Sequence, residues 1–481
     1  MTVTLNDLSD FTLGTLRRVA WDAEPVVLGP AALERIERRR AQFLTMVEKA
    51  PENRIYGVTT GFGDKAKTLL SPEERAKQAT SPRIQKSLGL GPRVPDAAVR
   101  AMILTRLINF VSGYAGVSLE TAEGVAAMLD GRPLPEMRLE SQDSSGELHQ
   151  LFNLYHHLMG PMSQLRDQNA LRNGSGCAPG LLGELALRSE RRTAVVSAVF
   201  ALSIDAASMG LAPYDPALKP LLNDPFESQA IDRLSALLAG VEMEGRRDYQ
   251  APISWRVLTR MLGQMYRVVA ALKQTAEELL VTVNDNPVFL GPEEAPPYGR
   301  CITTGGFHVP RAYHAMNAQA ALWGDLAAIA ARETQQMHRN SVTGLAERLW
   351  VGDSRFSTYF FSAAVYDQAQ RAQDAARPAL IPLYSPHDEQ TDIVMPLFLA
   401  WERESLAAKA LDRCLAMLAA SASQALHVAG RNPAPPLRRL LAAVRNSFPL
   451  VDSARDLGHE AEALADRFAA ATRGGGESLG L

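Results

Sequence analysis

Residues 97–111 read AAVRAMILTRLINFV, and this stretch decides the fold class. Apolar side chains occupy nearly every face of a 3.6-residue turn. A helix built from them has no wet side and belongs inside a bundle rather than on a surface. Four further stretches carry helix formers with little Gly or Pro: 181–211, 254–283, 312–345 and 393–428. Leu182, Leu185 and Val196 are among the apolar positions of the first of these. Leu322, Leu326 and Ile329 fall at i, i+4 and i+7 of the 312–345 stretch. Leu411, Leu415 and Leu418 form one stripe of the 393–428 stretch, with Arg403, Glu404, Lys409 and Asp412 placed off it. Helices of this length without strand patterns between them predict an all-α protein built as a long-helix bundle. Residues 1–50 read as a small helical cap. The organisation expected is 1–215 for the cap and the polar loops, and 216–481 for the central and C-terminal helices.

Composition narrows the function. Of 481 residues, 46% are hydrophobic and 21% charged, which suits a folded globular chain and excludes a disordered or collagen-like one. The formal charge is −3 with no Lys/Arg block, so nucleic acid is not an expected partner. Cys177, Cys301 and Cys414 are too scattered for a disulfide framework or a zinc site, which fits a reducing cytoplasm. The start MTVTLNDLSDFTL has no basic, apolar leader. The most apolar run, Ala194–Ile204, stops at Asp205 before it could span a bilayer. No phosphate loop, Gly-x-Gly-x-x-Gly or His-Glu-x-x-His occurs. His149, His156 and His157 lack metal-ligand spacing, so no metal is expected.

Three polar breaks in the helices carry chemistry. The first is Arg54-Ile-Tyr56-Gly-Val-Thr-Thr60-Gly-Phe-Gly63, where a tyrosine in a flexible loop can accept a proton when deprotonated. Taken alone, it reads as a turn with a packed tyrosine. The second is Asp143-Ser144-Ser145-Gly146-Glu147. Attack of the Gly nitrogen on the carbonyl two residues earlier, with loss of two waters, turns Xaa-Ser-Gly into an imidazolone bearing a dehydroalanine. The plain alternative is an N-cap, Ser or Asp followed by Glu, opening the next helix. The third is Gln250-Ala-Pro252-Ile253-Ser254-Trp-Arg256, where an arginine near a helix start can fork onto a carboxylate or sit in a surface ion pair.

In this order and spacing the segments resemble the aromatic amino acid ammonia-lyase family, which includes histidine, phenylalanine and tyrosine ammonia-lyases and 2,3-aminomutases. The resemblance runs from Phe11-Thr-Leu13 to about residue 430. Arg106-Leu-Ile-Asn109, Gly113-Tyr-Ala-Gly116, Asn173-Gly-Ser175, Asn284-Asp-Asn-Pro287 and Gly305-Gly-Phe-His308 add to it. It implies a long parallel helix bundle, a homotetramer whose active sites draw on several subunits, and a small amino acid as substrate. It also implies a 4-methylideneimidazol-5-one, formed here from Ser144, Ser145 and Gly146, with helix N-termini directed at it. By the same resemblance Tyr56 is the base, Arg256 holds the substrate carboxylate, Asn173 bonds near the prosthetic group, and Phe307 and Gln390 line the site. Ser87-Leu88 stands where relatives acting on tyrosine or histidine place a histidine, and the carboxylate that serves histidine substrates is Gln390, so histidine is not the expected substrate. Asp143 replaces a glycine, Ser144 an alanine, Ile253 a tyrosine, and Gly306 the family's asparagine. Two readings therefore stand: an ammonia-lyase or aminomutase that uses the prosthetic group, and a divergent relative without it. The second would be a binding protein or would catalyse a different elimination.

Overall fold

A computed structural model describes the chain except residues 82–88, 141–144, 161–162, 248, 352–354, 384–390, 474–478 and 480–481, and the Asp64 side chain. The expected long helices are Asp96–Val111, Cys177–Ala206, Leu258–Leu280, Pro310–Met337 and Leu397–Val428. The Pro310 helix ends earlier than its pattern suggests, because Arg339 leaves helical geometry and a separate turn, Asn340–Thr343, follows. Among the described residues, strands form only three two-stranded sheets. No described helix is long and apolar enough to cross a membrane.

The chain divides into two compact units, each drawing on three separate segments. The first holds residues 1–186, 273–315 and 379–402. Its N-terminal cap is not purely helical: Val3–Leu5 pairs in parallel with Val26–Leu28, beside helices Leu13–Ala20 and Pro30–Lys49. Alternating buried apolar residues in Val3–Leu5 have a strand period that a helical reading overlooked. The centre of this unit is helix Asp96–Val111. Every residue from Ala101 to Val111 is buried, as an all-round apolar pattern requires. Gly180 lets the Cys177 helix lie against it, since a Cβ there would sit 2.6 Å from the Ala101 carbonyl carbon.

The second unit holds residues 187–272, 316–378 and 403–481. Its core is one cluster that includes Leu326, Leu411, Leu415 and Leu418. Glu404 and Asp412, expected away from the apolar stripe, are buried too. Glu404 accepts from the Trp323 indole at 2.8 Å, and Arg192 forks onto Asp412 at 3.0 and 2.7 Å. A helix surrounded by others buries its polar stripe as well, and each buried group then needs a partner.

Candidate active site

The Ser-Ser-Gly segment enters the described structure at Ser145; Ser144 and Asp143 lie outside it. Ser145 and Gly146 are half-buried and lead into helix Leu148–Tyr155. Gly146 packs on the 304–308 loop so closely that a Cβ would be 2.9 Å from the Phe307 carbonyl oxygen and 3.2 Å from Phe307 Cβ. Phe307, one of the anticipated lining residues, is thereby brought against the tripeptide. His308 Nδ1 lies 3.4 Å from the Ser145 carbonyl oxygen, and burial holds its imidazole below the usual histidine range. The loop itself is pinned. Gly306 N–H donates to Thr304 Oγ1 at 3.0 Å, and a Cβ on Gly306 would meet the Asp285 carbonyl oxygen at 2.5 Å. Asp285 is buried and paired with Arg166 at 3.2 Å; burial raises the carboxyl, and the arginine draws it back.

Glu147 departs from the local-cap reading. It is the N-cap residue of helix Leu148–Tyr155, yet its side chain makes no cap bond there. Its carboxylate instead takes the start of the Cys177 helix. Oε1 accepts from Ser175 Oγ at 2.5 Å and Ala178 N–H at 2.8 Å, and Oε2 from Gly176 and Cys177 N–H at 2.9 and 2.7 Å. Those N–H groups are the orphan donors of a 30-residue helix, and its positive end favours an anion. Burial pushes the Glu147 carboxyl up, and the four donors oppose that. The N-terminus of the Cys177 helix thus meets a carboxylate one residue after Gly146. The sequence carried a signal for this contact: Asn173-Gly-Ser-Gly176 starts a long helix with no acidic residue in its first turn.

Asn173 closes the short helix Asp167–Arg172. Its Oδ1 accepts from Gly174 N–H at 2.9 Å, and its carbonyl accepts from the buried Arg106 at 2.7 Å. Gly174 has φ +73°, and a Cβ there would strike Asn284 and Asp285. Asn109 exchanges two hydrogen bonds with the Asn284 backbone at 3.0 and 3.1 Å. The motifs Arg106–Asn109, Asn173–Ser175 and Asn284–Pro287 therefore form one buried polar knot.

Tyr56 lies in a loop held to that same short helix. Its ring meets Phe62 edge-on at 5.5 Å, and the Arg172 guanidinium stacks on the other partner's ring, Phe62, at 3.5 Å. Gly57, at φ +69°, lets the loop pass Phe62 and Asn169, where a Cβ would not fit. The Tyr56 hydroxyl accepts from Gly63 N–H at 3.4 Å, and the ring is half-buried. The stacking role of Arg172 was not visible from the sequence, because the arginine lies 110 residues from the loop it braces.

Arg256 belongs to the second unit. It ends the turn Ile253–Arg256, just ahead of helix Leu258–Leu280. Its side chain is exposed and makes no ion pair among the described residues; Ile253 is 66% exposed. Ser87, Leu88 and Gln390 lie outside the described residues. No group of three or more His, Cys, Asp or Glu able to hold a metal occurs among the described residues. The three cysteines are unpaired.

A family model for aromatic amino acid lyases matches residues 11–164 and 162–446. A histidine ammonia-lyase of Anaeromyxobacter dehalogenans is 27% identical, over 96% of this chain and 98% of that protein. Among solved structures, ergothionase from Treponema denticola superposes with TM-score 0.88 at 16% identity, over 98% of this chain and 99% of the other. Pantoea agglomerans phenylalanine aminomutase gives 0.87 at 20%, over 96% and 98%. Likeness at that identity speaks to the fold alone.

Proposed function

The chain belongs to the aromatic amino acid lyase family, whose members act on carbon–nitrogen bonds, and on that footing we propose that it eliminates or moves the α-amino group of an aromatic or related L-amino acid. The observation that carries this reading is the seat of Gly146. Ring closure through a glycine nitrogen needs a position with no side chain, and here the Phe307 carbonyl oxygen lies 2.9 Å from where a Cβ would be, too close for one to fit without a shift. The residues present fit a methylideneimidazolone built from Ser144, Ser145 and Gly146. When formed, that group supplies the electrophile that makes an amine leave.

The remaining work falls to this chain's own side chains. Tyr56, exposed on one side and braced by Phe62 and Arg172, takes the β-proton. Arg256, which pairs with no carboxylate among the described residues, offers a two-pronged donor to the substrate carboxylate. Asn173, fixed by Arg106 and Gly174, holds its amide near the tripeptide's partners. Phe307 supplies an apolar wall, and by the family resemblance Gln390 lines the same site. Ser87-Leu88, lacking the histidine of relatives that act on tyrosine or histidine, argues against histidine as substrate. An assembly of four copies in the cytoplasm completes the proposal; it gives the exposed Ile253–Arg256 turn a place to act, and light scattering in solution tests it.

A second reading draws on Ile253 and Asp143, which stand where the family has tyrosine and glycine. In it, Tyr56 and Arg256 act on a substrate whose amine leaves without an electrophile. The intact mass of the unfolded chain decides between them. A deficit of two waters on the peptide holding Ser144–Gly146 supports the first reading. An unmodified mass refutes it and leaves the second.

A further inference from the structure

The turn that carries Arg256 is held from below by a buried polar chain. Trp255 is fully buried, while Ile253 and Arg256 on either side of it are exposed. The Trp255 indole N–H donates to Ser203 Oγ at 3.0 Å, and that hydroxyl donates to Glu333 Oε2 at 2.6 Å. The Trp255 carbonyl accepts from the Tyr214 hydroxyl at 2.7 Å. Ser203, Glu333 and Trp255 show no solvent exposure at all, and Tyr214 shows 3%. Each anchor comes from a different element: Ser203 from helix Cys177–Ala206, Glu333 from helix Pro310–Met337, and Tyr214 from the 3-10 turn Ala212–Tyr214. The backbone of the turn is tight as well, with Trp255 and Arg256 N–H both directed at the Pro252 carbonyl, 3.2 and 3.3 Å away.

A buried carboxyl with one oxygen left unpartnered is costly to keep in an apolar core. Glu333 Oε1 is such an atom, so the group is doing more than filling space. A leucine there would pack as well, but it would leave the Ser203 hydroxyl without its acceptor and the indole N–H bonded to a freely turning hydroxyl. Pinning both ends of one indole-bearing residue removes the two motions open to a four-residue turn, rocking and sliding. The Cα atom of the next residue, about 3.8 Å along the chain, then has little freedom, so the Arg256 side chain starts from a fixed point.

We propose that Ser203, Glu333 and Tyr214 are positioning residues for Arg256, acting through Trp255. The inference deepens the reading of Arg256 as the carboxylate fork and rests on it. Two measurements on the full-length protein test it. The first is hydrogen exchange of the peptide spanning 251–257. Ser203→Ala and Glu333→Leu are expected to speed its exchange about tenfold, leaving the helices around it unchanged. Glu333→Gln keeps a carbonyl acceptor for Ser203 and is expected to restore slow exchange, which separates lost positioning from general loosening.

The second measurement is a double-mutant cycle on ammonia release from L-phenylalanine or L-tyrosine, whichever turns over. Ser203→Ala is expected to raise KM about tenfold with a smaller change in kcat. In an Arg256→Gln background it is expected to change KM no further, because there is no fork left to aim. Unchanged exchange at 251–257 in Ser203→Ala, or effects of the two substitutions that simply multiply, would overturn the proposal. An unchanged KM in Arg256→Gln alone refutes the fork itself, an outcome separate from failure of the anchor. Where neither amino acid turns over, the exchange arm decides.

Discussion

Gly146→Ala separates chemistry from folding. The added Cβ lands 2.9 Å from the Phe307 carbonyl oxygen, and that oxygen is backbone. It cannot swing aside as a side-chain tip would. Retreat of the loop is blocked as well, since His308 N–H bonds the Gly305 carbonyl at 2.9 Å and Gly306 is wedged on Asp285. Overpacking of this kind costs about 1–3 kcal/mol. Unfolding entropy of about 2 cal/mol/K per residue amounts, over 481 residues, to about 1 kcal/mol/K. The melting temperature should therefore fall by only about 1–3 °C, and the helical circular dichroism should be unchanged. The chemical consequence is far larger, because a methyl on the attacking residue obstructs closure of a five-membered ring. Intact mass and peptide mapping should show residues 144–146 unmodified in the variant and two waters lighter in the wild type. A Gly146→Ala protein that keeps the two-water deficit refutes the argument from packing. One that unfolds outright shows that the glycine serves the fold rather than the ring.

Other expected outcomes follow from the same geometry. Tyr56→Phe removes only a long hydrogen bond from Gly63, so the fold should persist while kcat falls by about 10²–10⁴; a variant at wild-type rate would dismiss Tyr56 as the base. Arg256→Lys should leave the melting temperature unaltered, because the side chain is exposed and makes no ion pair among the described residues, and raise KM at least several-fold by losing the fork; a steady KM counts against the role. Burial holds the His338 imidazole down to about 4, against the hydrogen bond to the Thr334 carbonyl, which raises it; its other nitrogen faces Thr358. The folded state needs the neutral ring, so its contribution is complete above pH ~6.5 and is lost as pH falls from there towards 4, about 3 kcal/mol in all. Stability measured across pH 7 to 4 should fall more steeply in the wild type than in His338→Gln, and identical slopes would sink the assignment.

The reach of sequence patterns differs between the long helices and the loops. Helix Asp96–Val111 was legible because burial on every face leaves a composition that nothing else produces. Val3–Leu5 was misread because three residues carry too little pattern to separate a strand from a helix end. Glu404 and Asp412 were placed off the apolar stripe, yet both are buried against partners on other helices. A pattern along one helix reports its own faces and not what surrounds them.

The candidate site divides in the same way. Residue types that chemistry demands, a Ser-Gly pair able to cyclise, a loop tyrosine and an arginine near a helix start, are properties of the covalent chain and could be named from it; that Arg256 makes no ion pair among the described residues could not. Which atoms touch depends on segments 30 to 160 residues apart meeting in space. The plain alternative for Asp143–Glu147 was a local cap, Ser or Asp followed by Glu147, for the helix that comes next. Glu147 caps the Cys177 helix instead, because only tertiary packing decides whether nearer or more distant orphan N–H groups face a carboxylate. Trp255 carries no signal of its own in the sequence beyond its place beside Arg256. Its indole became an anchor for Arg256 only when Ser203, Glu333 and Tyr214 arrived from three other elements to bond it.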